Sequence, residues 1–270
     1  MDETKVAVLR RILRDMQSVL VAYSGGVDST LLAYVASVEL GARSLALTAV
    51  SPSLPGAELE QAQEIARQFD FAHALVDTQE MQDANYQANT PLRCYWCKHG
   101  VFGLLTDYAK QHGFAFVVDG TNLDDAGDHR PGRRAAIEYG VRSPLVEAQF
   151  TKQDIRALAR ELGLPNWDKP AAACLSSRIP YGTPITIQLL SQVEQAEMLL
   201  HSLGIRQVRV RHHGDIARLE VDPVSFETLL AHREHIVKIF HNLGFTFIAL
   251  DLDGYKTGNL NQLAKATYES

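Results

Sequence analysis

The chain has 270 residues, 46% of them hydrophobic and 21% charged, a balance that fits a folded globular protein and excludes disordered, fibrous and low-complexity classes. At about 150 residues per domain, the length accommodates one large domain or two unequal ones. A net charge of −6, from 26 basic and 32 acidic residues, argues against sequence-independent binding of nucleic acid, which depends on neutralising phosphates. The N-terminal residues carry charges along a helical period with no apolar run between them, unlike a secretory or transit leader. Nor does any stretch approach the roughly 20 apolar residues of a membrane span. The expectation is a cytoplasmic protein without a nucleic-acid or membrane partner. In that compartment three cysteines, an odd number, point to catalysis or metal binding rather than to a disulfide framework.

In chain order, residues 5–16 place Val6, Leu9, Ile12, Leu13 and Met16 on one helical face. Residues 19–23 read as a buried strand, broken at Ser24-Gly25-Gly26, and residues 30–40 as a helix. A strand over 44–50, a helix over 56–69 and a strand over 73–76 continue the alternation. Then come a helix over 94–112, a strand over 115–119, a helix over 132–139, a short apolar run at 141–146 and a helix over 152–162 capped by Thr151. This rhythm predicts a parallel sheet with helices on both faces, with ligands at the carboxyl ends of the strands. From about Thr186 the order changes to a helix to 203, strands over 207–211 and 216–221, a helix over 225–243 and a strand over 245–252. The fold class is therefore α/β, with a second, smaller α+β unit at the C-terminus. The expected divisions are residues 1–165, a connector at 166–185 that carries Cys174, a small α+β domain at 186–257, and a tail at 258–270.

The strongest local signal is Ser24-Gly25-Gly26-Val27-Asp28-Ser29, between a buried strand and a helix. Two glycines permit a tight turn whose N–H groups face a concavity, and the helix N-terminus adds partial positive charge, so the turn suits a polyphosphate. It lacks the Gly-Lys of a Walker A loop. The acid inside it, Asp28, points to Mg²⁺. SGGVDS resembles the signature of the PP-loop ATP pyrophosphatase superfamily, whose members adenylate an oxygen of their substrate and hold the pyrophosphate in this loop. The resemblance implies that Ser24, Gly25, Gly26, Val27, Asp28 and Ser29 bind ATP, with adenine along the end of the second strand near Thr48 and Val50.

Cys94-Tyr95-Trp96-Cys97 sets two thiols three residues apart at the start of a helix, where a thiolate is favoured. Alone the pair fits zinc, a redox dithiol or an iron–sulfur centre. With no second such pair, a four-cysteine zinc site within one subunit is excluded, although His99 is a candidate ligand. Cys174 lies in a loop with Arg178 close by, a setting that favours an accessible, ionised thiol. Three cysteines can hold a 4Fe-4S cluster by three irons and leave the fourth open to hydrosulfide.

ACLSSRIPYGTPI around Cys174, DGTNLDDAGDHRPG over 119–132 and VRVRHHGDIARLE over 208–220 together closely resemble the LarE family of ATP-dependent sulfur transferases, over essentially the whole chain. The resemblance implies a pyridinium biscarboxylate mononucleotide substrate, activated as an acyl adenylate and converted to a thiocarboxylate for the nickel-pincer nucleotide cofactor. It also implies a homo-oligomer. In the single-cysteine branch, the residue matching Cys174 gives up its own sulfur and ends as dehydroalanine. Cys94 and Cys97 depart from that branch and resemble its cluster-bearing counterpart, so the expectation is a 4Fe-4S cluster on Cys94, Cys97 and Cys174 that carries the sulfide. Sacrificial donation by Cys174, a tRNA thiolase and a non-catalytic sensing module are the alternatives.

Other polar residues are candidates of lower information. Asp119, Asn122, Asp124 and Asp125 follow the fourth strand and fit either Mg²⁺ or substrate ordering or simple loop capping. Arg130, Arg133 and Arg134 fit a phosphate contact or a solvated helix face, and Arg209 and Arg211 share one strand face, as for an anion site or an ion-paired interface. With Arg178, they complete the candidate substrate contacts. Trp96 fits ring stacking or core packing. The histidines, including His212 and His213, show no zinc spacing and read as surface residues.

Overall fold

The structure is a computed structural model and describes residues 3–126, 131–170 and 173–256. The elements run α1 (Glu3–Met16), β1 (Val19–Ala22), α2 (Val27–Leu40), β2 (Ser44–Val50), α3 (Gly56–Gln68), β3 (His73–Asp77), α4 (Ala84–Gln87), α5 (Arg93–His112), β4 (Phe116–Val118), α6 (Leu123–Ala126) and α7 (Pro131–Glu138). They continue with α8 (Pro144–Glu147), α9 (Lys152–Glu161), α10 (Ile187–Ser202), β5 (Val208–His213), β6 (Ile216–Val221), α11 (Phe226–Ala231), α12 (Arg233–Asn242) and β7 (Phe247–Leu250). Contacts divide the chain into two units: Met1–Glu80 with Cys94–Ala172, and Met81–Arg93 with Ala173–Ser270. Residues 81–93 thus group with the C-terminal part of the chain, not with the sequence on either side of them.

In the first unit, strands in the order β3-β2-β1-β4 form an all-parallel sheet. Alternation along β1 sends Val19 and Val21 to one face, where they join Leu9, Leu13, Leu31, Ile65, Ile155 and Leu158 from α1, α2, α3 and α9. Leu20 faces the other side with Leu47, Leu105, Ala109 and Val117, the layer covered by α5. Burial on both faces explains why β1 reads as a continuous apolar run rather than an alternating one. β1 has β2 on one side and β4 on the other, so the strand order reverses there. The crevice outside the carboxyl ends of β1 and β4 is where such sheets bind ligands. Thr151 caps α9 with a reciprocal box, its hydroxyl accepting from Asp154 N–H while Asp154 accepts from the Thr151 N–H, worth about 1 kcal/mol.

The second unit carries a three-stranded sheet, β5 antiparallel to β6 and β6 parallel to β7. Ala196 and Leu200 of α10 and Ile236 and Phe240 of α12 pack on Val208, Val210, Leu219 and Val221. The helix read over 225–243 is two helices, because the backbone leaves helical values at His232 (φ −102°, ψ 12°), whose ring Nδ1 donates to the Thr228 carbonyl at 2.9 Å. The apolar run at 141–146 forms a single parallel bridge from Arg142 to Val118 and then enters α8 at Pro144. His212 corrects the surface reading of the histidines: it is 6% exposed, in phase with inward-facing Val208 and Val210 on β5, and its Nε2 meets Gln192 Oε1 at 3.2 Å. No helix among the described residues is long and apolar enough to cross a membrane.

Candidate active site

A cavity of about 390 Å³ opens at the carboxyl ends of β1 and β4, within the size range of small-molecule sites. Ser24, Asp28 and Ser29 line it from the turn after β1, Asp119, Gly120, Thr121 and Asp125 from the segment after β4, and Cys94, Lys98 and Arg133 from α5 and α7. Candidates that are scattered in sequence are therefore brought to one opening.

The turn is built from its small residues. Gly25 adopts φ +73°, and a Cβ there would lie 2.8 Å from Ala62 Cβ, so both conformation and space demand glycine. Ser29 Oγ donates to the Gly26 carbonyl (3.1 Å) and receives the Ser24 N–H (3.2 Å), which folds the loop over the start of α2. Asn166, 1% exposed, donates to the Gly25 carbonyl and to Thr30 Oγ1, both at 2.9 Å. The segment after β4 approaches closely: a Cβ on Gly120 would sit 2.8 Å from Ser29 N. The result is a helix N-terminus and a glycine turn facing a cavity, the arrangement that binds phosphate.

Asp28 Oδ2 accepts from Lys152 Nζ at 2.5 Å, and Asp28 Oδ1 from Asn122 Nδ2 at 3.4 Å. Asn122 also donates to Asp125 Oδ2 (2.7 Å), and Asp124 Oδ2 receives the Lys152 N–H (2.8 Å). Asp28 and Asp125 therefore belong to one connected network, whereas Asp124 serves it from outside the cavity. Asp119 holds Thr121 and Ser143 through its carboxylate oxygens. Thr48 is buried; its hydroxyl donates to the Tyr23 carbonyl (2.9 Å) and so receives the His73 Nε2–H (2.8 Å). Val27 is buried as the first residue of α2, and Val50 is half-buried at the end of β2. Arg134 pairs with Glu138 and stacks over the Tyr95 ring, and Trp96 lies edge-on to Tyr95 with His99 nearby. Arg130 lies outside the described residues.

None of the three cysteines is in a disulfide, and Cys94 and Cys174 are exposed. Cys97 Sγ donates to Glu80 Oε2 at 3.5 Å, and Glu80 Oε1 accepts from Ser51 Oγ (2.5 Å) and Ser53 Oγ (2.8 Å). In the second unit Cys174 is the N-cap of a 3₁₀ turn, Leu175–Arg178. Arg178 is committed to protein partners: Nε and Nη2 pair with both oxygens of Glu197 (2.9 and 2.8 Å), and Nη1 donates to the Ala173 and Cys174 carbonyls (2.6 and 2.9 Å). It shapes the backbone of the turn. Arg211 pairs with Glu220 through Nε and Nη2 and donates from Nη1 to the Ser177 carbonyl (2.9 Å). Arg209 is half-buried over the Tyr255 ring, and burial, then the nearby Arg178 charge, push its guanidinium below the ordinary arginine value. Arg178 and Arg211 thus hold the backbone of the Cys174 turn while Glu197 and Glu220 balance their charges, an ion-paired arrangement rather than an open anion site.

The donor chemistry can be set against the groups the sequence implies. Asp28 and Asp125 offer the oxygen ligands that Mg²⁺ prefers, and the three cysteines offer the ligand type of an iron–sulfur centre. Among the described residues no three His, Cys, Asp or Glu side chains are gathered around one metal position. Sequence reasoning missed Lys152, Asn166 and Glu80, each of which meets its partner only through the fold, and Lys98, which α5 brings to the cavity.

A glycine turn at the switch point of a parallel sheet, opening on a cavity with acidic residues, defines a PP-loop nucleotide-binding domain. The asparagine synthase family matches residues 2–95. Over 97% of its length the chain is 40% identical to the pyridinium-3,5-bisthiocarboxylic acid mononucleotide synthase of Lactiplantibacillus plantarum, covering 96% of that protein. It is 47% identical to an uncharacterised protein of Synechocystis, over 97% of this chain and 98% of the other. A further uncharacterised protein, from Methanocaldococcus jannaschii, is 30% identical over 89% of this chain and 92% of its own length. The chain belongs to the LarE family of ATP-dependent sulfurtransferases.

Proposed function

We propose that the chain adenylates a carboxylate of pyridinium biscarboxylate mononucleotide and converts it to a thiocarboxylate, a step in building the nickel-pincer nucleotide cofactor. The observation that carries this reading is the single cavity that joins the phosphate-binding turn to an exposed thiol, Cys94. The named L. plantarum relative supports the substrate. In the first step a substrate carboxylate oxygen attacks the α-phosphorus of ATP and the bond to the β,γ-pyrophosphate breaks. The N–H groups of the turn beyond Ser24 hold the departing pyrophosphate, and Asp28 with Asp125 would hold Mg²⁺, which neutralises phosphate charge. Lys98 and Arg133, which also line the cavity, supply positive charge to the acyl adenylate. In the second step sulfur attacks the acyl carbon and AMP leaves.

Cys94, Cys97 and Cys174 would hold a 4Fe-4S cluster, which when bound supplies an iron position able to carry sulfide. Arg209 attracts the anionic nucleotide, while Arg211, paired with Glu220, holds the Cys174 turn through the Ser177 carbonyl. Three cysteines outside any disulfide support a cytoplasmic location, and assembly as a homo-oligomer completes the proposal.

Iron and acid-labile sulfide are measured after anaerobic reconstitution, alongside pyrophosphate release with and without the pyridinium mononucleotide. About four irons per chain and substrate-dependent release are expected for this cluster type. Release that follows tRNA instead, or none with any acceptor, overturns the substrate. Iron-free protein that ends one turnover with dehydroalanine at Cys174 overturns the cluster and leaves Cys174 as the sacrificial donor.

A further inference from the structure

The Cys174 turn is gripped by a segment from far upstream, residues 86–93, which packs in the second unit. Tyr86, 1% exposed, shares a hydrogen bond of 2.6 Å with Ser176 Oγ. Asn89 is fully buried and in the left-handed region at φ 49°. Its amide donates to the carbonyls of Pro180 and Thr183, both at 2.8 Å, and its backbone carbonyl receives the Gly182 N–H at 3.1 Å. Arg93, 4% exposed, donates from Nη1 to Asn89 Oδ1 (2.6 Å) and to the Ser176 carbonyl (2.8 Å), with its guanidinium over the Tyr181 ring. A buried guanidinium is costly to place, and this one holds both the Asn89 side chain and the Ser176 carbonyl. The Ser176 carbonyl is two residues past Cys174, and Arg93 is the residue immediately before Cys94.

Resting on the sulfur-transfer reading above, we propose that Arg93, oriented by Asn89, is a positioning residue for that transfer. It fixes the backbone of the Cys174 turn through the Ser176 carbonyl, and so sets the conformation in which that thiol is presented. Arg93 is not among the residues that line the cavity at the phosphate-binding turn. Its loss should therefore uncouple the two half-reactions, leaving adenylation in place and impairing sulfur transfer.

Arg93→Met and Arg93→Lys are compared with wild type for pyrophosphate release, thiocarboxylate formation and hydrogen exchange of residues 174–183. In Arg93→Met, pyrophosphate release is expected within about twofold of wild type, thiocarboxylate at least tenfold lower, and exchange of 174–183 at least tenfold faster, since local opening follows lost hydrogen bonds. Arg93→Lys, which keeps the charge and N–H donors, is expected to restore most of the protection and transfer. If Arg93→Met does not fold, Tyr86→Phe and Ser176→Ala, which delete one hydroxyl contact each, are expected to show the same pattern at two- to fivefold. Unchanged transfer and exchange in the folded variants overturn the proposal, as does an equal loss of both half-reactions. If wild type forms no thiocarboxylate, the substrate reading fails by itself, and the exchange of 174–183 still decides the role of Arg93.

Discussion

Lys152 Nζ lies 2.5 Å from Asp28 Oδ2, although the two residues are 124 positions apart. The lysine sits at the first position of α9, its N–H held by Asp124, and fixes a carboxylate that faces the phosphate end of the cavity. Lys152→Met is expected to raise KM for Mg·ATP about tenfold, roughly 1.4 kcal/mol of lost binding. Lys152→Arg should keep most of the wild-type value. Because the pair is partly exposed, melting temperature should change little. Pyrophosphate exchange kinetics at varied ATP decide it, and an unchanged KM in the methionine variant would remove Lys152 from the site.

Gly120 and Gly100 should respond oppositely to the same substitution. Gly120→Ala places a Cβ 2.8 Å from Ser29 N and must displace the loop or α2, at about 1–3 kcal/mol of stability and with loss of ATP binding. At Gly100, exposed within α5, nothing lies within 4 Å of the added carbon, so Gly100→Ala should stabilise by about 0.5–1 kcal/mol. Urea titration with nucleotide-binding calorimetry tests both. Normal ATP affinity in Gly120→Ala would contradict the close approach.

The buried Arg178–Glu197 pair leaves little room for a lost partner, with side chains 3% and 7% exposed. Glu197→Gln leaves Arg178 without its counter-charge and is expected to destabilise the fold by about 3–5 kcal/mol. It should also free the Cys174 turn, whose carbonyl Arg178 holds. Denaturant unfolding followed by the intrinsic tryptophans gives the energy; a change under 1 kcal/mol would show the pair to be dispensable.

Stability should fall with acid in two steps. Burial pushes the His73, His212 and His213 imidazoles below the ordinary value of 6.5, so as pH falls the unfolded chain takes up these protons before the folded one. Their contribution is complete above pH 6.5 and is lost as pH drops through it toward the lower folded values. Asp154, held at about 2 chiefly by the Lys5 hydrogen bond, contributes above its ordinary 3.8, and that share goes as pH falls toward 2. Urea midpoints across pH 8 to 3 should show both declines. A His73→Gln/His212→Gln variant should flatten the first, and an unaltered slope between pH 7 and 5 would refute the assignment.

The parts of the site legible in sequence are those whose signal is local. Ser24–Ser29 declares its turn because glycine spacing and the following helix lie within a few residues, and the strands of the parallel sheet show as apolar runs because both faces are buried. Lys152, Asn166 and Arg93 carried no such signal. Each acts through a partner more than 80 residues away, and an isolated lysine, asparagine or arginine reads as surface until the fold supplies that partner. Arg178 and Arg211 show the converse, since their carboxylate partners Glu197 and Glu220 lay in plain view but their pairing depends on how α10 and β6 pack.

The Glu80 carboxylate makes the two thiols of Cys94-Tyr95-Trp96-Cys97 unequal. Cys97 is leashed by an acid that is itself steadied by two serine hydroxyls, while its neighbour one turn earlier stands open to the cavity. Any electrophile, oxidant or metal ion arriving through that opening meets Cys94 first, and the order in which the pair is engaged is written into the fold before chemistry begins.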